Sequence, residues 1–184
     1  MNNKENINSK QINSGNKTML FRKPSTKDGA NIWRLAKESK LLDLNSPYCY
    51  IMLCDLFKGT CAVAELDEEI VGFVSAFRIV ERPATLFIWQ ITVAESYRGK
   101  GIGLSLLQQI CMREENSKIQ IVETTISPSN VPSLSLFRKF AENMESRCEE
   151  LTGYPAHLFP GSGHEDEKLF RIILEAEIYS PPVI

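Results

Sequence analysis

The sequence predicts an α/β (α+β) protein built on a mixed central sheet. Segments of strand and helix character follow one another in the order β-α-α-β-β-β-α-β-α-(β)-β, with no internal repeat. The 184 residues suit one domain with a sizeable core. With 43% hydrophobic and 24% charged residues, the composition is that of an ordinary globular protein and disfavours a disordered, collagenous or coiled-coil chain.

The first half of the chain begins with a polar segment. Residues 1–17 are rich in Asn and poor in apolar side chains, so we expect a disordered tail followed by a single domain over 18–184. Met19–Arg22 has strand character, and Ser25 or Thr26 can cap a helix that ends near Ser39. Further on, Ser46 and Pro47 form a typical helix start, and Gly59 follows the end of that helix near Phe57.

The second half alternates strands and helices. β-branched and aromatic runs, separated by turn-like clusters, predict a three-stranded antiparallel meander, and helical spacing resumes after it. The predicted strands of this half are Cys61–Glu65, Ile70–Val80, Leu86–Val93, Ile119–Thr125 and Lys168–Tyr179. The predicted helices cover 101–115 and 130–141.

Charge and cysteine content indicate which partners and which cellular compartment to expect. The formal charge is −2 and no stretch concentrates Lys and Arg, so nucleic acid is not an expected partner. The five cysteines are an odd number without a C-x-x-C pair, which indicates free thiols in a reducing compartment. No apolar window is long enough to span a bilayer, and Met1–Lys17 lacks the apolar core of a signal peptide. We therefore expect a cytoplasmic protein with no membrane partner.

A basic, glycine-rich turn is the most informative segment. The residues from Ile91 to Gly103 predict a strand that runs through the turn Arg98–Gly101 into a helix. Glycines allow close approach of a ligand to the backbone, and the N–H groups at a helix start favour an anion such as a pyrophosphate. The spacing differs from the P-loop pattern, and no suitable acidic residue indicates dinucleotide binding. An ordinary glycine-rich turn is the alternative.

The pattern Arg98-x-x-Gly101-x-Gly103 resembles the [QR]-x-x-G-x-[GA] signature of the GNAT superfamily of acetyl-CoA-dependent N-acetyltransferases. The resemblance implies a GNAT fold with helices on both faces of the sheet and with its fourth and fifth strands, here Phe87–Val93 and Ile119–Thr125, splayed apart. It also implies that acetyl-CoA, the co-substrate, contacts the strand end and the turn. The implied cofactor-binding residues are Ile91, Val93, Arg98, Gly99, Lys100, Gly101, Ile102, Gly103 and Asn130.

The segment from Asn130 to Phe137 resembles the second family motif, N-x-x-[AS]-x-x-[LF]-Y. Asn130 is the expected contact for pantetheine, although it could act only as a helix cap, and both roles can coexist. Many relatives have tyrosine at the last position, where a hydroxyl can protonate the departing thiolate. Phe137 has no proton to give, so solvent or another group must serve.

Several segments resemble a narrower group in that superfamily, the acetyltransferases that act on L-2,4-diaminobutyrate in ectoine biosynthesis. The resemblance covers about residues 19–179 and is carried by Phe21–Pro24, Leu42–Tyr50, Val71–Phe77, Phe87–Gln90 and Thr125–Asn130. It implies transfer of an acetyl group to the γ-amine, a small-molecule diamine as the acceptor, and a homodimer.

A diamine needs acidic side chains near its nitrogens and a base that takes up a proton. Asp43, Glu167 and His164 are the candidate catalytic residues; the same three, with Tyr48 and Trp89, are the candidate substrate-binding residues. Each has a structural alternative: Asp43 could bond local backbone, the acidic run Glu165–Glu167 could be a solvated turn, Trp89 and Tyr48 could be core, and the histidines could be surface residues. Two histidines alone give no metal-ligand spacing, and we expect no metal.

Two further classes of function stay open at this stage. The acceptor could be another small amine or a peptide N-terminus, although the extended loops 41–50 and 159–167 favour a closed pocket. The chain could also be a CoA-binding module without turnover, since Phe137 replaces an acid. The cysteines lack a histidine partner arrangement, so a covalent enzyme intermediate is not expected.

Overall fold

A computed structural model describes residues 10–14, 17–40, 42–161 and 163–174. The chain forms two compact units. The first unit comprises residues 1–75 and 90–116, and the second comprises residues 76–89 and 117–184.

The helices begin and end close to the predicted positions. The four α-helices are α1 (Gly29–Ser39), α2 (Pro47–Leu56), α3 (Ile102–Cys111) and α4 (Val131–Asn143). The Ser46 hydroxyl accepts a hydrogen bond from the Cys49 backbone N–H, as the predicted cap requires. A short 3-10 turn, Thr26–Asp28, precedes α1, and another, Glu114–Asn116, follows α3.

The described residues contain eight strands. They are β1 (Lys10–Ser14), β2 (Lys17–Arg22), β3 (Ala62–Leu66), β4 (Glu69–Ile79), β5 (Arg82–Val93), β6 (Ile121–Ile126), β7 (Arg147–Tyr154) and β8 (Glu167–Ile173). The predicted meander β3–β5 is confirmed, although Arg82 and Pro83 belong to β5 rather than to the turn before it.

In the first unit, β1, β2, β3 and β4 follow one another as antiparallel neighbours, and β5 is the next strand in the order. Helices α1 and α2 bury apolar residues against this part of the sheet. Ile32 and Leu35 of α1, Tyr50 and Leu53 of α2, and Phe73 of β4 share one core cluster. This core holds the loop between the two helices near the end of β5.

In the second unit, β5 pairs in parallel with β6, β6 pairs antiparallel with β8, and β8 pairs antiparallel with β7. The parallel pairing is short. It joins Thr85 to Ile121, Leu86 to Val122 and Phe87 to Glu123, although both strands continue beyond these residues. The strands predicted to splay, β5 and β6, are therefore paired only along their first part, and the mixed α/β fold is confirmed.

Three parts of the chain differ from the sequence-based prediction. Residues 1–17 were expected to be a disordered tail, but Lys10–Ser14 pairs with β2 as an added edge strand, where backbone hydrogen bonds offset the polar composition. Strand β7, an optional element of the prediction, is present and pairs with β8. The last strand ends at Ile173 rather than Tyr179, and residues 1–9, 15–16 and 175–179 of these predictions lie outside the described residues.

The cysteine side chains are thiols, as the sequence predicts. The five cysteines are free, and Cys54, Cys61 and Cys111 are buried as small apolar side chains. Burial raises the pKa of the Cys54 and Cys111 thiols to about 12, so they stay protonated at neutral pH.

Among the described residues, no helix combines the length and the apolar character that a membrane crossing needs.

Candidate active site

The turn from β5 into α3 has the geometry of an anion-binding backbone. Gly99 and Gly101 have φ angles of 74° and 79°, a region that other residues avoid. A Cβ atom at either position would meet no atom within 4 Å, so the turn is open on the side where these glycines lie. Gly101 is the N-cap of α3, and no side chain caps the helix start. The first N–H groups of α3 are therefore available to an anion.

The charged residues of the turn point to solvent. Arg98 is exposed, and its Nε donates a hydrogen bond of 3.1 Å to the Val93 carbonyl oxygen, which ties the turn to the end of β5. The Lys100 ammonium lies 5.0 Å from the centre of the Tyr97 ring. Both cations stand near the helix start, where positive charge and the helix dipole favour the same ligand.

Ile91 and Val93 are half-buried at the end of β5, Ile102 is buried, and Gly103 lies in the first turn of α3. All predicted cofactor residues except Asn130 therefore belong to one continuous strand, turn and helix of the first unit.

A buried glutamine connects β5 to the loop that carries Asp43. The Gln90 Nε2 donates a hydrogen bond of 2.8 Å to the Asp43 backbone carbonyl oxygen. The Gln90 Oε1 accepts one of 3.1 Å from the Tyr50 hydroxyl on α2, and Ser75 Oγ accepts from the Gln90 backbone N–H at 3.2 Å. Gln90, Tyr50 and Ser75 are all buried. This network holds the Asp43 loop against the strand.

Asp43 itself is exposed, and the structure records no hydrogen bond to its carboxylate from the described residues. The hydrogen bonds recorded at this residue, from Asn45 and Gln90, go to its backbone carbonyl oxygen. Tyr48 is 69% exposed, in contrast to buried Tyr50. Asp43 and Tyr48 thus each present an exposed side chain on the first unit.

Trp89 belongs to the second unit and is not a core residue. Its side chain is 41% exposed on β5, although a tryptophan on a central strand is usually buried. The exposed ring can form the wall of a pocket.

Asn130 caps α4 through its side chain. Its Oδ1 accepts a hydrogen bond of 3.2 Å from the Ser133 backbone N–H, so the alternative of a helix cap holds for this residue. Its Nδ2 group remains as a donor that the cap does not use. Phe137 is 2% exposed in the core of the second unit, which is consistent with a packing role for its ring.

The acidic run before β8 is more than a solvated turn. The Glu165 carboxylate accepts a hydrogen bond of 3.0 Å from the Ser129 N–H, and the Asp166 carboxylate accepts one of 2.9 Å from the Ala156 N–H. Hydrogen bonds from Ser129 hold the pKa of Glu165 below its ordinary value, and the bond from Ala156 does the same for the pKa of Asp166. These two carboxylates tie the segment before β8 to the backbone at Ser129 and Ala156.

His164 and Glu167 lie at the edges of the same loop. The imidazole of His164 stacks on Phe159, with ring centres 3.7 Å apart, and its Nδ1 lies 2.7 Å from the Glu165 carbonyl oxygen. That bond makes Nδ1 the donor and leaves Nε2 as an acceptor in the neutral ring. Glu167 is half-buried at the start of β8, opposite Tyr154 of β7.

One strongly charged cluster was missed by the sequence analysis. The Glu123 carboxylate on β6 is 1% exposed and accepts two hydrogen bonds of 2.8 Å from Arg82 and one of 2.8 Å from Arg171. Burial disfavours the charged carboxylate, but the two guanidinium groups outweigh it and lower the pKa of Glu123. A glutamate inside the apolar run Ile121–Ile126 was the available signal.

The first unit thus contains Asp43, Tyr48 and the turn Arg98–Gly103, and the second contains Trp89, Asn130, His164 and Glu167. Within the described parts of the chain, no group of three or more His, Cys, Asp or Glu side chains could hold a metal ion.

Comparison with known proteins gives consistent results. A model of the acetyltransferase (GNAT) family matches residues 30–141. The L-2,4-diaminobutyric acid acetyltransferase of Shouchella clausii is 47% identical over 154 residues, which are 84% of this chain and 86% of the relative. The enzyme of the same name from Halalkalibacterium halodurans is 45% identical over 84% of this chain and 82% of its own.

Solved structures show the same likeness. The diaminobutyrate acetyltransferase EctA from Paenibacillus lautus, in complex with its substrate L-2,4-diaminobutyric acid and coenzyme A, superposes with a TM-score of 0.82 at 43% identity. The match covers 85% of this chain and 95% of that one. Ard1 from Thermoplasma volcanium, at 20% identity and a TM-score of 0.67 over 85% of this chain and 99% of its own, shares the fold.

Proposed function

Because this chain belongs to the GNAT family of acetyltransferases, we propose that it transfers the acetyl group of acetyl-CoA to the γ-amine of L-2,4-diaminobutyrate. The products are N4-acetyl-L-2,4-diaminobutyrate and CoA, which makes the reaction a step of ectoine biosynthesis. The observation that carries the proposal is the likeness, over 85% of the chain, to a structure that holds diaminobutyric acid and coenzyme A.

The turn Arg98–Gly103 fits the pyrophosphate of acetyl-CoA. The open space beside Gly99 and Gly101 allows an anion to reach the backbone, and the uncapped start of α3 supplies N–H donors. Arg98 and Lys100 add positive charge at the same place. Acetyl-CoA supplies an activated acyl group as a thioester. We assign its pantetheine part to Ile91, Val93 and the Asn130 Nδ2, which the helix cap does not use.

The acceptor amine has to lose a proton before it reacts. An amine with a pKa of ~10.4 is neutral in only about one of 2,500 molecules at pH 7, which corresponds to a cost of roughly 4–5 kcal/mol. A carboxylate near the nitrogen can take the proton, and a second one can hold the other ammonium group in place. We assign the first role to Glu167, acting directly or through His164, and the second to Asp43.

The transfer step then involves the backbone. The neutral γ-nitrogen forms a bond to the thioester carbonyl carbon and then loses a second proton as the amide forms. The C–S bond breaks, and the departing thiolate takes up a proton. Backbone N–H groups near Ile91 or Val93 stabilise the developing oxyanion. Phe137 has no hydroxyl and cannot protonate the thiolate. Solvent supplies this proton, or Glu167 returns the one that it took from the amine.

The wider setting of the enzyme is part of the proposal. Five free cysteines are consistent with work in a reducing cytoplasm. Assembly as a homodimer stays a prediction that rests on the family resemblance.

An amine panel tests the proposed activity. The purified chain is mixed with acetyl-CoA and L-2,4-diaminobutyrate, L-ornithine, L-lysine or a peptide with a free N-terminus, and release of the CoA thiol is followed. We expect the kcat/KM for diaminobutyrate to exceed that for ornithine, which has one methylene more, by about tenfold or more. Preference for a different amine, or thiol release with none of them, would contradict the proposal.

A further inference from the structure

The acceptor in the proposed reaction carries a carboxylate for which the candidate residues provide no natural partner. Asp43 and Glu167 are themselves carboxylates and would repel it. Proteins bind carboxylates most specifically with arginine, whose planar fork matches the two oxygens. An arginine next to the Glu167 side of the second unit would complete the recognition of the acceptor.

The second unit contains a cavity with such an arginine. Its volume is about 210 Å³, and its wall includes Arg82, Glu123, Thr152 and Tyr154 on the polar side and Phe87 and Leu169 on the apolar side. Small-molecule sites commonly combine an apolar wall with a few polar groups in this way. The cavity is of a size for a small amino acid.

Arg82 is the cation in the wall of this cavity. It forms an ion pair with Glu123, also in the wall, while Arg171 pairs with Glu123 from outside the wall. Glu123 uses two of the N–H donors of Arg82. A guanidinium has five donors, and the Arg82 side chain is 47% exposed, so three remain for a ligand. A carboxylate in the cavity would accept hydrogen bonds from these donors.

The cavity also lies at a suitable distance from Glu167. Leu169, in the cavity wall, is two residues beyond Glu167 on β8 and therefore lies about 7 Å away on the same face. Tyr154, also in the wall, is the partner of Glu167 in the pairing of β7 with β8. In diaminobutyrate, four bonds of about 1.5 Å separate the carboxylate carbon from the γ-nitrogen. One molecule can thus present an ammonium to Glu167 and its carboxylate to the cavity.

We infer that Arg82 binds the carboxylate of the acceptor and selects amino-acid diamines over simple diamines, an inference that rests on the proposed function. Glu123 acts as a positioning residue, since it is buried and holds the Arg82 guanidinium by two hydrogen bonds. Arg171 holds Glu123 from the other side. The three residues form a carboxylate site at one end of the acceptor, opposite the base.

A comparison of two acceptors tests the inference. 1,3-Diaminopropane is L-2,4-diaminobutyrate without the carboxylate, so it reports on every contact except the one in question. The kcat/KM values for both acceptors are measured for the wild type and for Arg82→Met. We expect the ratio of diaminobutyrate to diaminopropane to fall by about 10- to 100-fold, the size of a lost charge-assisted hydrogen bond, while the value for diaminopropane stays unchanged.

Two further variants keep the test decisive. Arg147→Met removes an exposed arginine of the same unit that pairs with Glu149, and it should leave the ratio unchanged. Arg82→Lys keeps a charge beside Glu123 but lacks the fork; it replaces Arg82→Met if that protein does not fold, and it should lower the ratio several-fold.

The outcomes separate the two proposals. An unchanged ratio in the folded Arg82 variants, or an equal loss for both acceptors, would overturn the carboxylate site while wild-type activity on diaminobutyrate still supported the proposed function. A wild type that does not acetylate diaminobutyrate would overturn the proposed function, and with it this inference.

Discussion

The side-chain amide of Gln90 donates a hydrogen bond of 2.8 Å to the backbone carbonyl oxygen of Asp43. The two residues are 47 positions apart in the sequence, and the bond joins the strand that leads to the proposed acetyl-CoA turn with the loop that carries a proposed substrate carboxylate. The position of Asp43 therefore depends on a buried residue that need not touch the substrate.

Replacement of Gln90 by leucine should displace this loop. We expect Gln90→Leu to raise the KM for diaminobutyrate with a smaller effect on the KM for acetyl-CoA, and to lower the free energy of unfolding by about 1–3 kcal/mol because the Tyr50 hydroxyl loses its buried acceptor. Steady-state kinetics and denaturant unfolding measure both effects. Tyr50→Phe is the matched control, since it removes the other bond of Gln90 and leaves the Asp43 contact intact; an equal rise of KM in that variant would contradict the positioning role.

Substitution at Gly101 tests the proposed binding of acetyl-CoA at the turn Arg98–Gly103. Because its φ is 79°, Gly101→Val should cost about 1–2 kcal/mol in backbone strain and should also obstruct an anion at the start of α3. We expect acetyl-CoA to bind about tenfold more weakly, which titration calorimetry can measure.

Gly161, with φ of 88° and no atom within 4 Å of its Cβ position, is the control for the strain alone. Gly161→Val should leave the affinity for acetyl-CoA unchanged. Equal affinity in wild type and Gly101→Val would remove the turn from the site.

The fold follows closely from local sequence signals, as the start of α2 shows. Ser46 and Pro47 predict the helix start from their own chemistry, and the structure has the expected hydrogen bond. Lys10–Ser14 shows the limit, because its strand depends on pairing with β2 and not on its polar composition. Local propensity carries no information about such a partner.

The candidate site also has one part that the sequence predicts and another that it does not. The glycine turn is local in sequence and was predictable, since its glycines, its basic residues and the helix start are contiguous. The roles of Gln90 and Glu123 depend on partners 40 or more positions away, such as Tyr50 and Arg82. A lone polar residue in an apolar strand indicates a buried network, but the sequence does not identify the other members.

Exchange of Glu167 for glutamine tests the proposed base. The variant keeps the shape of the side chain but loses its charge and basicity, so kcat should fall, and the loss should shrink as pH rises and free amine becomes abundant. Asp43→Asn should instead raise mainly the KM for diaminobutyrate. Full pH–rate profiles of both variants distinguish the roles. Interchanged profiles would reverse the assignment, and wild-type behaviour of both would remove the two carboxylates from the site.

The buried Glu123 should make the free energy of unfolding fall at acidic pH. Arg82 and Arg171 lower the pKa of Glu123 in the folded protein. Its contribution to the free energy of unfolding is therefore fully present above the ordinary glutamate pKa of about 4.3 and is lost as pH falls through its pKa in the folded protein. Denaturant unfolding between pH 7 and pH 3 should therefore show a smaller decline of the unfolding free energy in Glu123→Gln than in the wild type. A parallel decline in both proteins would show that Glu123 is not responsible.

The position of the acetyl group on the product is the most direct test of the proposed activity. The wild-type chain is incubated with L-2,4-diaminobutyrate and acetyl-CoA labelled with ¹³C at the carbonyl carbon, and the product is examined by NMR for the coupling of that carbon to the protons next to the acylated nitrogen. We predict one product, acetylated on the γ-nitrogen, formed in an amount equal to the CoA thiol released. Acetylation of the α-nitrogen, or no transfer to diaminobutyrate at all, would contradict the account.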